Sequence, residues 1–437
     1  RSTLFPYTTL FRSWLTGLGL MSAPKPLRGR ALARRPLLVG ALVTGLAACS
    51  SSRPAPGDSA PSAEAGAASA APAATGPTSS SSASAAATTP TAPATGPLAG
   101  WSLEQRVGQL LMMGVDAAEA PASARKAITS LHLGGVFLSG RSQGGTAATR
   151  AVVDSLTGLV GPESTGGAPL LVSTDQEGGD VQVLRGPGFS TIPSALKQSE
   201  QSAADLETAA AGWGGELAQA GVTMNLAPVA DLVDVADPDS NEPIGAWGRQ
   251  YGNDKETVIE RAGAFARGME SAGVVATFKH FPGLGRVAGN TDTSASVTDS
   301  VTARTGDAAV EVFSRLISDG ARVVMVSSAV YTLIDAGSPA VFSSVVVTDM
   351  LRGDLGFTGV VITDDVSAAA QVSTWSPAER AVLAVRAGCD IVLASGDPGV
   401  VEEMAQGLVD QARTDPAFAA RVDESALRVL ALKGVQS

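Results

Sequence analysis

From Trp101 onward, short and nearly continuous apolar runs alternate with longer amphipathic segments. Apolar runs of this kind are typical of strands that are buried on both faces of a parallel sheet. They predict seven strands, over Gly135–Leu138, Pro169–Thr174, Thr223–Leu226, Val274–Phe278, Arg322–Val326, Gly359–Thr363 and Asp390–Leu393. The amphipathic segments predict helices over Ala203–Ala220, Lys255–Ser271, Thr302–Ser318, Pro377–Ala387 and Val400–Ala412. The alternation indicates repeated βαβ units.

The fold class that follows is α/β. The residues after position 100 are enough for one (β/α)8 barrel of the TIM type with insertions. Only seven strands are clear, however, so the pattern alone also allows a doubly wound open sheet.

Polar side chains follow two of the predicted strands, at the point where each strand ends. The run KHFPGLGRVAGNTDTS, from Lys279 to Ser294, follows the apolar run GVVAT, and Asp364 follows GVVIT. In a parallel barrel the carboxyl ends of the strands meet at one rim, where catalytic side chains gather. The sequence therefore favours an enzyme.

The first hundred residues have a different composition. Residues 1–20 include TLFPYTTLFRS, which reads as a translated sequencing adapter, and they are left out of the fold argument. Residues 21–48 resemble a lipoprotein signal peptide, with a basic start and an apolar core too short to span a membrane. Residues 49–100 are rich in Ala, Ser, Pro and Thr and are predicted to be a disordered linker. Residues 101–437 are predicted to form the catalytic domain.

Leu46-Ala47-Ala48-Cys49 resembles a lipobox, in which the cysteine is lipidated and becomes the mature N-terminus. The alternative is an ordinary secretory signal with an incidental cysteine. We expect an exported protein, lipid-anchored to the outer face of the cell membrane through Cys49. Cys389, in the run AGCDIVLAS, is expected to be a buried thiol on a strand.

The charge balance narrows the set of partners. The chain has 31 Lys and Arg against 42 Asp and Glu, and seven of the basic residues precede position 49. The remainder therefore carries 24 basic and 42 acidic residues, a net charge of −18. Nucleic-acid binding needs a stripe of Lys and Arg residues, and the sequence shows none, so no nucleic-acid partner is expected. We expect a monomer, and no cofactor or metal, because no phosphate-binding loop or metal-ligand spacing occurs.

Seven motifs in order resemble the β-N-acetylhexosaminidase branch of the family 3 glycoside hydrolases. They are SLEQRVGQLLM, LGGVFL, STDQEGG, NLAPVAD, KHFPGLG, GSPAVFSSVVVTDMLRGDLGFTGVVITDD and AGCDIVL. The resemblance covers nearly everything from Trp101 to the end. It implies a single (β/α)8 catalytic barrel rather than an open sheet.

The resemblance also implies the catalytic nucleophile. The first aspartate of the ITDD motif, Asp364, corresponds to the family's nucleophile, which attacks the anomeric carbon and forms a covalent glycosyl intermediate. Its neighbour Asp365 is expected to fix a loop.

The acid/base group departs from the family pattern. Relatives carry an Asp-Ser-His dyad after KHFPG, whereas this chain has Asn290, Thr291 and Asp292 there. Neither His132 nor His280, the only histidines, corresponds to that position. A carboxylic acid at Asp292 would restore the two-carboxylate arrangement of most glycosidases. The alternative is that these residues only form a turn.

Substrate contacts are implied residue by residue. Asp175, Lys279 and His280 match family residues that hold sugar hydroxyls, and Arg249 matches the arginine of RSFG-like segments. Asp180 and Val183 stand where relatives have arginines, and Arg185 is the candidate to compensate. Asp231 is expected to orient Lys279 or a loop, and Ser328 replaces a histidine.

These residues favour a retaining exo-β-N-acetylglucosaminidase that acts on cell-wall or chitin-derived saccharides, including muropeptides. The alternatives are a β-glucosidase or glycoside phosphorylase of the same family, a sugar-binding pseudoenzyme, and a solute-binding lipoprotein. The presence of Asp364 at the end of a strand favours an enzyme over the pseudoenzyme and the solute-binding lipoprotein.

Overall fold

The computed structural model describes residues 96–435. The predicted signal peptide, Cys49 and all but the last five residues of the predicted linker lie outside the described residues. Eight parallel strands form a closed barrel in which each strand pairs with its neighbours in the chain and the last pairs with the first. They are β1 (Leu111–Asp116), β2 (Gly135–Ser139), β3 (Leu171–Thr174), β4 (Met224–Asn225), β5 (Val275–Phe281), β6 (Val323–Val326), β7 (Val360–Asp365) and β8 (Ile391–Ala394). The barrel is confirmed and the open sheet is excluded.

Eleven α-helices in the described residues surround or connect these strands. They are α1 (Leu103–Gly108), α2 (Ala122–Ser130), α3 (Gly145–Thr157), α4 (Pro162–Thr165), α5 (Ala195–Gln198), α6 (Ala203–Gln219), α7 (Lys255–Ser271), α8 (Ala308–Ser318), α9 (Pro377–Ala387), α10 (Val401–Thr414) and α11 (Pro416–Leu432). A π-helix, Val345–Asp354, precedes β7. Within residues 96–435, every helix is too short or too polar to cross a lipid bilayer.

All seven predicted strands are present. The strand that the sequence analysis missed is β1, in the motif SLEQRVGQLLM and the residues after it. This strand begins only three residues after α1 ends and is rich in Leu, Met and Gly rather than in β-branched residues. A Cβ on Gly114 would lie 2.7 Å from the carbonyl oxygen of Ser395. The glycine therefore permits the close approach to the end of β8 that closes the barrel.

The predicted helix boundaries agree with the structure to within two residues except at one end. Helix α8 begins at Ala308 rather than Thr302, because the Asp307 side chain caps it by accepting a hydrogen bond from the amide of Ala309. The segment before it is held instead by Asp299, whose carboxylate accepts hydrogen bonds from the amide and hydroxyl of Thr302. Cys389 is buried as predicted, but it lies just before β8 rather than on it.

The barrel is filled by its own apolar core. The side chains inside it are Met112, Phe137, Leu171, Met224, Leu226, Val275, Val323, Met325, Val360, Ile362, Ile391 and Leu393. A second, larger cluster packs the outer faces of the strands against the helices. The interior is thus closed by hydrocarbon, and polar side chains that continue the inward-facing rows emerge at the carboxyl rim.

Candidate active site

Strand parity explains which side chains reach the barrel mouth. Side chains alternate across a strand, so residues two apart share a face. Val360 and Ile362 point into the barrel, which places Asp364 on the same face at the end of β7. The same reasoning carries the inward row of β3 from Leu171 to Asp175, just past its end, and that of β5 from Val275 to Lys279.

These side chains open into one cavity of about 260 Å³ at the carboxyl rim. Six of the sequence-predicted site residues line it together: Asp175, Arg249, Lys279, His280, Asp292 and Asp364. They come from four different strands or from the loops that follow them, so only the closed barrel brings them together. The arrangement agrees with the placement of active sites in barrels of this type.

Arg185 is the predicted site residue that the structure does not place in this group. Its guanidinium donates hydrogen bonds to the carbonyl oxygens of Gly179 and Gln182, and its side chain does not line the cavity. Arg185 therefore braces the hairpin of residues 176–182. Beside this hairpin the cavity is lined instead by Arg141, which follows β2 and donates a hydrogen bond to the carbonyl oxygen of Asp180.

A buried ion-pair network forms one wall of the cavity. Nζ of Lys279 lies 2.8 Å from Oδ1 of Asp175 and 2.6 Å from Oε1 of Glu177. Arg249 contacts both oxygens of Glu177, at 2.9 and 2.7 Å. Two cations and two carboxylates thus balance one another, as buried charges require. Asp175 is the most accessible of the three groups around Lys279, with 29% of its side chain exposed, so it remains open to a ligand.

The pKa values of this network follow from its pairing. Burial alone would raise the pKa of Glu177, but Arg249 and Lys279 outweigh it and lower that pKa to about 2. Burial works against charge on Lys279 and Arg249 as well, and their carboxylate partners raise both pKa values nonetheless. Glu177, Lys279 and Arg249 are therefore charged at neutral pH.

His280 is oriented by Asp231, at the end of the NLAPVAD motif. Nδ1 of the ring lies 2.7 Å from Oδ2 of Asp231. The other oxygen, Oδ1, accepts hydrogen bonds from the backbone amides of His280 and Leu284. Asp231 therefore fixes the KHFPGLG loop and the ring, and it makes no contact with Lys279. Nε2 is the ring nitrogen that can meet a ligand.

Asp364 lines the cavity from the carboxyl end of β7. Burial raises the pKa of this carboxyl, although nearby His280, the amide of Asp365 and Lys279 oppose the increase. Asp365 also lines the cavity, and its carboxylate fixes loops, as predicted. Its Oδ1 accepts hydrogen bonds from the amides of Ser395 and Gly396, and its Oδ2 accepts one from Ala368.

Asp292 is the second carboxyl group of the cavity. Its side chain can be reached by solvent through the mouth, yet protein surrounds it on the other sides. This enclosure, together with the negative charges of Asp364 and Asp365, raises the pKa of Asp292 to about 7. Arg249 opposes this rise and Asp175 adds to it. One carboxyl group is thus held in its protonated form near another whose neighbours favour ionisation.

The sequence reasoning missed three residues of the site. Glu177 follows Asp175 in the STDQEGG motif, and its position after a strand was a usable signal. Arg141 and Trp247 line the cavity from loops whose sequences carry no periodic pattern. Residues 96–435 contain no group of three or more His, Cys, Asp or Glu side chains that could hold a metal ion.

Comparison with known proteins shows the family to which the chain belongs. The family model described as the glycosyl hydrolase family 3 N terminal domain matches residues 102–432. A beta-hexosaminidase of Alkalilimnicola ehrlichii is 32% identical over 307 residues, which are 69% of this chain and 84% of that protein. Beta-hexosaminidase LpqI of Mycobacterium tuberculosis is 32% identical over 344 residues, 76% of this chain and 83% of its own.

Solved structures give the same result. The crystal structure of a beta-N-acetylhexosaminidase from Beutenbergia cavernae superposes with a TM-score of 0.76 at 57% identity, covering 76% of this chain and 99% of that one. The structure of Mycobacterium tuberculosis LpqI superposes with a TM-score of 0.66 at 30% identity, covering 76% and 94%. The family model over residues 102–432 and these relatives, which cover about three quarters of the chain, show that the chain is a glycoside hydrolase that belongs to glycosyl hydrolase family 3.

Proposed function

We propose that the protein is a retaining exo-β-N-acetylglucosaminidase that removes terminal N-acetylglucosamine from cell-wall or chitin-derived saccharides, including muropeptides. The observation that carries this proposal is the pair Asp364 and Asp292 in one cavity, one at the end of β7 and one on the loop after β5. The names of the beta-hexosaminidase relatives support N-acetylglucosamine as the sugar. A small cavity closed below by the apolar core suits the end of a chain rather than its middle.

Asp364 acts as the nucleophile. Its carboxylate attacks the anomeric carbon while the glycosidic bond breaks, and a covalent glycosyl ester forms. His280 and Lys279 lower the free energy of the ionised form of Asp364 through their proximity. Four further residues hold the sugar hydroxyls or the groups that contact them: Asp175, Lys279, His280 and Arg249.

Asp292 acts as the acid and then as the base. In the first step its proton goes to the oxygen of the leaving sugar, and in the second step its carboxylate takes a proton from the attacking water. Its raised pKa keeps the proton in place until the bond breaks. The acid/base histidine of relatives is thereby replaced by a carboxyl group.

This replacement favours hydrolysis over phosphorolysis. After the leaving group departs, Asp292 is a carboxylate beside Asp365 and Asp175. An anionic phosphate that approached the intermediate would meet like charges at close range, which raises its free energy, whereas water would not. We therefore expect water as the acceptor.

The test is the fate of the anomeric centre. Proton NMR of 4-nitrophenyl N-acetyl-β-glucosaminide turnover is expected to show the β-anomer of N-acetylglucosamine first, with the α-anomer arising later by mutarotation. In phosphate buffer no sugar 1-phosphate should accumulate. An initial α-anomer would contradict retention, and a dominant sugar phosphate would make the protein a phosphorylase. Absence of turnover on this substrate, with glucoside cleaved instead, would make it a β-glucosidase.

We further propose that the protein is exported and lipid-anchored through Cys49. The supporting observations are the signal-like residues 21–48 and the small residues that precede this cysteine. A cleaved lipoprotein signal leaves acyl chains on the cysteine as the means of membrane attachment.

Cys49→Ser should therefore release the enzyme from membranes or leave an unprocessed precursor. Fractionation of cells and mass measurement of the N-terminus check this expectation, with the unchanged chain as the control. A Cys49→Ser protein that is cleaved and still sediments with membranes would rule out the lipid anchor.

A further inference from the structure

The loop that carries Asp292 is attached to the segment that follows Asp364. The carbonyl oxygen of Asp292 accepts a hydrogen bond from the amide of Ala370 at 3.2 Å, and that of Thr291 accepts one from Gln371 at 3.1 Å. The amide of Asp292 itself donates to the side chain of Asn290 at 2.9 Å. Both backbone groups of Asp292 are therefore satisfied, which restrains its backbone and the point from which its side chain starts.

The side chain of Gln371 holds the far end of the same loop. Its Oε1 accepts a hydrogen bond from the amide of Val297 at 2.8 Å, and its Nε2 donates to the carbonyl oxygen of Val297 at 3.2 Å. Gln371 is only 6% exposed and Val297 only 4%. A two-point amide contact of this kind in a buried setting tolerates little displacement.

The segment between Asp364 and Gln371 is itself fixed. Asp365 accepts hydrogen bonds from the amides of Ser367 and Ala368, and the residues Ala370–Val372 form a short 3-10 turn. A continuous path of covalent and hydrogen bonds thus runs from Asp364, through this turn, to both ends of the loop around Asp292. The distance between the two carboxyl groups depends on that path.

We infer that Gln371 is a positioning residue that holds Asp292 in register with Asp364 for proton transfer to the leaving group. This inference rests on the acid/base role proposed for Asp292. Gln371 does not line the cavity, so it acts through the loop and touches no substrate. General-acid catalysis depends on hydrogen-bond reach, and a small displacement of the donor loses most of it.

If Gln371 acts through Asp292, its substitution should affect two substrates differently, whereas a general loss of stability would affect both equally. Proton donation matters most for a poor leaving group, so Gln371→Met should lower kcat/KM for a natural disaccharide by roughly tenfold, part of the 10²–10⁴-fold that general acids supply. For a dinitrophenyl glycoside the first step should be nearly unchanged. Met keeps the length of the side chain and removes both hydrogen bonds, which protects the fold.

The pH profile supplies a second signature. The groups that face Asp292 are Asp364, Asp365, Arg249 and Asp175. A displaced loop moves Asp292 away from the carboxylates of Asp364 and Asp365 and weakens the charge repulsion that raises its pKa, so this pKa should fall. The alkaline limb of kcat/KM should therefore shift to lower pH in Gln371→Met.

The decisive experiment is a double-mutant cycle with Asp292→Ala and Gln371→Met on both substrates. We expect Gln371→Met to cause no further loss on the disaccharide once Asp292 is absent. Gln411→Met, on the outer helix α10, is the matched control, since its side chain contacts Asp415 at 3.2 Å far from the cavity. It should leave both substrates unaffected.

Three results would contradict the inference, and they are distinguishable. Losses that add in the double variant, or a Gln371→Met loss equal on both substrates, would overturn the role of Gln371 alone. Asp292→Ala with unchanged activity on both substrates would overturn the proposed acid/base role and this inference with it. Thermal unfolding of each variant separates lost stability from lost positioning.

Discussion

Asp364→Ala is expected to lower kcat by on the order of 10⁴-fold or more, because without the carboxylate no glycosyl intermediate can form. Sugar binding should largely persist, since Asp175, Lys279 and His280 are untouched and their network is satisfied without Asp364. Initial-rate kinetics with 4-nitrophenyl N-acetyl-β-glucosaminide measure the loss, and calorimetric titration with N-acetylglucosamine measures the binding.

The matched control is Asp410→Ala. Asp410 lies on the surface of α10, where its side chain meets Arg413 and Gln406, so its removal should leave turnover unchanged. Turnover within a few fold of the unchanged enzyme in Asp364→Ala would show that another group attacks the sugar.

Asp292→Ala is expected to separate substrates by their leaving groups. Hydrolysis of a natural disaccharide should fall by about 10²–10⁴-fold, whereas the first step with a dinitrophenyl glycoside should slow only mildly. The second step then limits turnover, because no base activates water. Azide needs no base, so it should restore turnover and yield a glycosyl azide of the same anomeric configuration.

The pH dependence has a definite sign. Asp364 must be ionised and Asp292 protonated for the first step, so kcat/KM should fall below the pKa of Asp364 and above that of Asp292. The raised pKa of Asp292 places the alkaline limb near neutrality. This limb should disappear in Asp292→Asn, which cannot titrate.

For Asp292→Ala, an equal loss on the disaccharide and the dinitrophenyl glycoside, with no response to azide, would instead mean that the loop is only a structural turn.

Much of the fold could be predicted from the sequence, because buried parallel strands require nearly continuous apolar runs. The strand β1 could not, since its Met- and Gly-containing sequence continues directly from α1 and its partner β8 lies nearly three hundred residues away. The start of α8 was also missed. There the side chains of Asp299 and Asp307 compete for the backbone amides that a longer helix would use.

The candidate site was predictable where a residue directly follows a predicted strand, as Asp175, Lys279 and Asp364 do. Arg185 shows the limit of counting along a motif. Arg185 lies only two residues after Val183, yet its side chain does not line the cavity, whereas Arg141 from another loop does. The environment of Asp292 could not be foreseen at all, because the charges that act on it come from β7 and from the loops after β3 and β4, and its loop is held by the turn after β7.

The most direct test of the account is to trap the intermediate. A 5-fluoro-N-acetylglucosaminyl fluoride keeps a good leaving group but slows the second step, so a covalent glycosyl-enzyme should accumulate. Peptide mass mapping is expected to find one added sugar on the peptide that contains Asp364, with fragmentation placing it on that residue. A sugar on any other residue would contradict the assignment of the nucleophile, and no covalent adduct under complete inactivation would contradict the mechanism itself.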